Sequence, residues 1–268
     1  MPSPMPPLVG CASKHHFAIL LAAAALSLTG SAVAERRAVP GGEFAPVIAP
    51  SPTQSTTRVA AFRLDEHPVT NAEFLKFVTV HPEWQRGNVP ALFADERYLG
   101  HWRDALNLGE SRPNAPVIDV SWHAARAYCA AAGGRLPTWY EWEFAAAADE
   151  TRADARQDTA WRERILAWSA QSAAHPPGDV EQSPADIHGI HDLHGLVWEW
   201  VDDFGALMVS GDSRDQGDPD KLKFCGAGAL AASIRDDYPV LMRIALLSSL
   251  EADHSVASLG FRCAEDMP

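Results

Sequence analysis

Three helix-start signals between Thr70 and Glu141 constrain this chain more than any other feature. Thr70-Asn71-Ala72-Glu73 and Thr138-Trp139-Tyr140-Glu141 are capping boxes, in which hydroxyl and carboxylate satisfy each other's exposed backbone N–H groups. Ser121 is a further N-cap. Phe74, Phe77 and Val78 follow the first at helical spacing, so a helix should run to about His81. Trp122, Ala125, Tyr128 and Cys129 follow Ser121, and Gly133-Gly134 stops that helix. The third opens an Ala-rich helix to about Ala148, and another short helix should cover Ala160 to Trp168. None of these helices is long. Val59 to Leu64 reads as a short strand, and residues 191–268 alternate short apolar runs with Gly and Asp, as short strands and long loops do. The pattern predicts an α+β domain with little regular secondary structure and no internal repeat.

The N-terminus reads as an address. His16 to Leu28 is apolar after Lys14 and leads into Ala32-Val33-Ala34, the small-x-small pattern of a secretory cleavage site. Leu8-Val9-Gly10-Cys11 has the form of a lipoprotein box but precedes the apolar stretch instead of following it. We therefore expect a signal peptide at 1–34, an extended Pro/Gly/Ser/Thr-rich lead-in at 35–57 and a folded domain at 58–268. The expected location is periplasmic or secreted, with no membrane attachment after cleavage.

Net charge is −13, with 47% hydrophobic residues and a pI near 5.2. That balance excludes a disordered chain and disfavours nucleic acid, which needs a basic face. It suits a neutral or cationic partner, or a metal ion. Cleavage would leave Cys129, Cys225 and Cys263, an odd count that predicts one disulfide and one free thiol in an oxidising compartment. Counting does not decide the pair.

Four ordered segments resemble the formylglycine-generating enzyme (sulfatase-modifying factor) family. They are Pro68–Phe74, Pro116–Glu143, Asp192–Trp200 and Leu259–Cys263, together spanning nearly all of the chain after Gly41. The resemblance implies a C-type-lectin-like (sulfatase-modifying factor) fold and a Cys129–Cys263 disulfide, leaving Cys225 as the candidate free thiol. The residues themselves read as mostly structural: Trp122, Trp139, Trp142, Trp198 and Trp200 as apolar anchors, Arg135 and Arg262 as partners of buried carboxylates.

The family's oxidases use two copper-binding cysteines. Counting back from Cys263 places Arg243 on a family arginine and the thiols at Pro239 and near Ile234, neither of which carries sulfur. A second family disulfide would fall on Ala146 and Ile244, both apolar. Cys225 is either a buried small residue or a soft ligand with Met208, Met242 or a histidine. His188, His191 and His194 have chelating spacing, yet the family commonly places tyrosines at the first two positions. The resemblance also implies calcium at Asp192, Gly195, Val197 and Glu199, hard oxygen donors within a short segment; copper is the less favoured cofactor.

Gly211-Asp212-Ser213, Gly217 to Lys221 and Cys225 resemble the accessory protein found beside copper nitrite reductases. The expected function is thus a secreted accessory or maturation factor for a periplasmic metalloenzyme, with that copper enzyme as the candidate partner. The rivals are a formylglycine-generating oxidase and a copper-delivery protein, each using Cys225.

Overall fold

Each N-cap signal opens a helix. The computed structural model describes Met1 and residues 34–50, 53–172, 177–207 and 238–268. Contacts divide the chain into Met1–Gly30 and Ser31–Pro268, and all that follows concerns the second unit. The expected signal peptide, apart from Met1 and Ala34, lies outside the described residues. So do Cys225, Met208 and Ile234.

Helix α1 (Asn71–Val80) and helix α3 (Trp139–Ala146) both begin with complete capping boxes, and helix α2 (Trp122–Ala131) begins where Ser121 accepts the Ala124 N–H. Helix α4 covers Thr159–Ser172. Past α2, Gly133 takes a left-handed φ of 76°, the conformation that ends a helix at little cost only for glycine.

Strands β1 (Arg36–Val39) and β2 (Gly42–Phe44) fall inside the expected lead-in. Residues 36–44 of the expected lead-in pair with strands of the segment that follows. Strand β1 pairs antiparallel with β4 (Phe62–Asp65), matching Arg36 with Asp65 and Val39 with Phe62. Strand β2 pairs with β3 (Thr57–Val59), matching Gly42 with Val59. The single strand expected over Val59–Leu64 is thus two, divided because each half has its own partner. Gly41 makes the crossing feasible, since a Cβ there would lie 2.5 Å from the Val59 carbonyl oxygen. Ala34, at the end of the expected signal, is buried and donates its N–H to Glu73 Oε1 at 3.0 Å.

The C-terminal segment differs more. Tyr238–Leu247 forms helix α5, where the sequence suggested strands and loops. Pro239 sits in its first turn, where the missing N–H costs no helical hydrogen bond. Strand β5 (Trp198–Glu199) runs parallel to β6 (Leu259–Gly260), and β7 (Ala264–Asp266) completes a β1-β4-β7 sheet. The architecture is α+β, and the sheets among the described residues are two- and three-stranded, with no closed barrel. No described helix is long and apolar enough to cross a membrane.

A main core gathers most of these short pieces, and a smaller cluster of Ala155, Trp161 and Ile165 lies at α4. Indole rings are the largest members of the main core. Trp102, Trp139 and Trp200 are fully buried, and each N–H has an acceptor: Asn71 Oδ1, Glu143 Oε2 and the Val120 carbonyl. Trp122 and Trp198 are half-buried at its margin. The Cys129–Cys263 disulfide implied by the resemblance is present, tying α2 to the chain between β6 and β7. It closes a separation of 134 residues. Replacing both cysteines by alanine should lower stability by about 3–5 kcal/mol through the freed unfolded chain, read as a fall in the urea midpoint.

Candidate functional site

Buried charge is concentrated where α3, β5 and α5 meet the segment before β7. Arg262 and Glu199 are both fully buried. Arg262 Nε lies 3.0 and 2.9 Å from the two Glu199 oxygens, and Nη2 lies 2.8 Å from Oε1. Its remaining donors reach the Asp65 carbonyl at 3.1 Å and the His191 carbonyl at 2.9 Å. Trp142 Nε1 adds a bond to Glu199 Oε2 at 2.7 Å. The expected carboxylate partner of Arg262 is therefore Glu199; that of Arg135 is Glu141, held through two 2.7 Å bonds.

Beside this pair lies a second buried cation. The Arg243 guanidinium sits 3.7 Å from the Trp142 ring centre and 5.3 Å from that of Trp139. Its three nitrogens have no hydrogen-bond partner among the described residues. Burial pulls its pKa down to about 9, against the attraction of Glu199, Glu143 and Asp203. The indole faces supply the stabilisation that hydrogen bonds do not. Ala146 and Ile244, where a second disulfide would fall, are both buried apolar members of the main core.

The three spaced histidines do not form a chelating set. His194 Nε2 donates to the Ala146 carbonyl at 2.7 Å, and the ring meets Trp142 and Trp161 edge-on. His191 Nδ1 lies 2.7 Å from the Ser183 carbonyl, so it carries the proton. His188 Nε2 is buried with no hydrogen-bond partner among the described residues. Among the described residues, the clusters that bring three ligand atoms together are Glu66–His67–Glu181 and Glu251–Asp253–His254. Sequence reasoning missed the first because its members lie more than a hundred positions apart; the adjacent Glu66-His67 pair was its only trace.

The calcium set Asp192, Gly195, Val197 and Glu199 does not fit an ion in this arrangement. Glu199 meets three N–H donors: Arg262 Nε, shared between its two oxygens, Arg262 Nη2 on Oε1 and Trp142 Nε1 on Oε2. Asp192 Oδ1 accepts the Ser183 N–H and hydroxyl, at 3.1 and 2.7 Å, while Oδ2 accepts the Glu181 N–H. These oxygens hold protein groups.

The sulfatase-modifying factor enzyme 1-like domain description matches residues 26–267. A formylglycine-generating enzyme from Streptomyces coelicolor is 32% identical over 283 residues, covering 85% of this chain and 88% of that protein. The mouse inactive C-alpha-formylglycine-generating enzyme 2 is 30% identical over 179 residues, covering 53% and 58%. Among solved structures, CarF superposes with a TM-score of 0.46 at 12% identity, covering 88% of this chain and 99% of that one.

Two measurements follow from this geometry. Millimolar calcium should leave the melting temperature unchanged; a rise that disappears in Asp192→Asn would show that these oxygens exchange partners for an ion. Burial, foremost, holds His194 at about 4, below its ordinary 6.5. Between those values the unfolded chain binds the proton and the folded one does not, so the contribution is complete above 6.5 and is lost as pH falls towards 4. Its size is on the order of 3 kcal/mol. His194→Gln should flatten the stability–pH curve in that window. Asp65, pushed up to about 6 by burial, acts oppositely in both proteins and cancels in the comparison.

Proposed function

The chain belongs to the sulfatase-modifying factor enzyme 1-like domain family, and on that premise we propose that it is a maturation-type factor without cysteine-oxidase chemistry of its own. One feature carries the reading: counted back from Cys263, the two family thiols fall at Pro239 and near Ile234, and neither residue carries sulfur. Neither side chain can ligate copper or form a mixed disulfide. The alignment behind those positions is supported by Arg243 and Ile244, which α5 places in the core as buried residues. The mouse relative named as an inactive C-alpha-formylglycine-generating enzyme shares the family, and lack of oxidase activity is proposed here too.

In its sharper form, the proposal is a secreted protein with a C-type-lectin-like domain that assists a periplasmic metalloenzyme by binding it. Copper nitrite reductase is the named partner, on the likeness carried by 211–225. The acidic surface charge, −13 over the chain, suits a cationic protein patch as the contact. The partner and the location are parts of this proposal.

The test is a peptide assay. A Cys-x-Pro-x-Arg peptide should give no formylglycine with copper and reductant supplied, and the protein should copurify with copper nitrite reductase from periplasmic extract. Peptide turnover that is lost in Cys225→Ser would overturn the reading in favour of a single-thiol oxidase.

A further inference from the structure

The cluster at the end of β4 has the chemistry of a transition-metal site, and the family resemblance assigns nothing to it. His67 follows β4 by two residues and is 9% exposed. Its Nδ1 lies 2.9 Å from the Pro68 carbonyl oxygen, an acceptor only, so Nδ1 carries the ring proton. The neutral imidazole therefore presents its lone pair at Nε2. That atom faces Glu181 Oε1 at 3.9 Å, too far to share a proton in a hydrogen bond. A lone pair facing a carboxylate across this gap makes room for a cation that both groups can ligate.

Glu66 completes the set, and one ligand atom from each of the three residues lies within 4.8 Å of the others. Arg37 donates to Glu66 Oε2 at 3.0 and 2.7 Å, which orients the carboxylate as an outer-shell partner does. Oε1 receives only a long 3.4 Å contact from the Glu35 N–H. Glu35, Glu66 and Glu181 surround a single guanidinium, Arg37, which leaves an excess of two negative charges when His67 is neutral. The tertiary fold brings the cluster together: the His191 N–H donates to the Glu66 carbonyl at 2.7 Å, and Asp192 accepts the Glu181 N–H.

We propose that Glu66, His67 and Glu181 bind a divalent first-row transition ion of the zinc class. One imidazole nitrogen with two carboxylate oxygens suits such an ion better than calcium or magnesium, which take oxygen alone. Bonds of about 2.0–2.2 Å require the ligand atoms to draw together by roughly 1 Å. Glu181, with its side chain 49% exposed, is free to make that movement.

The test is zinc affinity of the full chain, without a polyhistidine tag and stripped by chelator, in competition with a chromophoric chelator. Wild type should bind one zinc ion, and Glu181→Gln should weaken binding by about tenfold or more. His67→Gln should do the same, while Glu251→Gln, in the other cluster, should match wild type. Glu181→Gln alters an exposed side chain, so it separates lost ligation from lost folding. Equal zinc affinity in wild type and Glu181→Gln, as a site on Cys225 would give, overturns the proposal. Absence of zinc binding by wild type overturns it too. Neither result bears on the maturation reading.

Discussion

The structure depends on the buried pair of Arg262 and Glu199. Two full charges without water are costly, and their attraction offsets that cost only when the remaining donors and lone pairs are satisfied. Here they are: Arg262 reaches the end of β4 at Asp65, the loop at His191 and the carboxylate on β5. Glu199 in turn accepts the Trp142 indole on α3. One guanidinium therefore ties its own segment to β4 and to the 191–199 stretch, and through Glu199 to α3. In a domain of short helices and small sheets, such a polar centre does what long sheet ladders do elsewhere. Leaving either charge unpaired in the core costs about 3–5 kcal/mol in typical proteins.

Arg243 shows the other way to hold a buried cation. Its guanidinium lies against Trp142, the same indole whose N–H serves Glu199. The edge of that ring donates to an anion while its face meets a cation, matching the quadrupole of the aromatic system. The two buried arginines are thus coupled through one tryptophan. The disulfide lies in the next position along the chain, and the Cys263 N–H donates to Asp65 Oδ2 at 2.8 Å. Covalent and electrostatic ties converge on the same stretch of backbone.

The surface above this centre carries the chemistry that sequence reasoning passed over. Glu66 and His67 leave β4 directly after Asp65, and the loop containing Glu181 and His191 is tied to that end of the strand. The Arg262 carbonyl contacts draw these loops together underneath. The charged cluster at the surface is a consequence of the buried one.

Capping chemistry is local, and the sequence alone determined the helices that depend on it. Thr70 and Thr138 with their glutamates, and Ser121, each set a helix start within the reach of three residues. The ordered motifs likewise pointed to the family and to the cysteine pair. Non-local partners decided the rest. Strands of two to four residues have too few side chains for a period to be read, so only pairing revealed β1 and β2, and only packing made 238–247 a helix. The same holds at Glu199: the family resemblance implied a calcium ligand, while the fold gave its oxygens to Arg262 and Trp142. A carboxylate's chemistry is set by which donors surround it, and those donors come from segments that only the tertiary structure brings together.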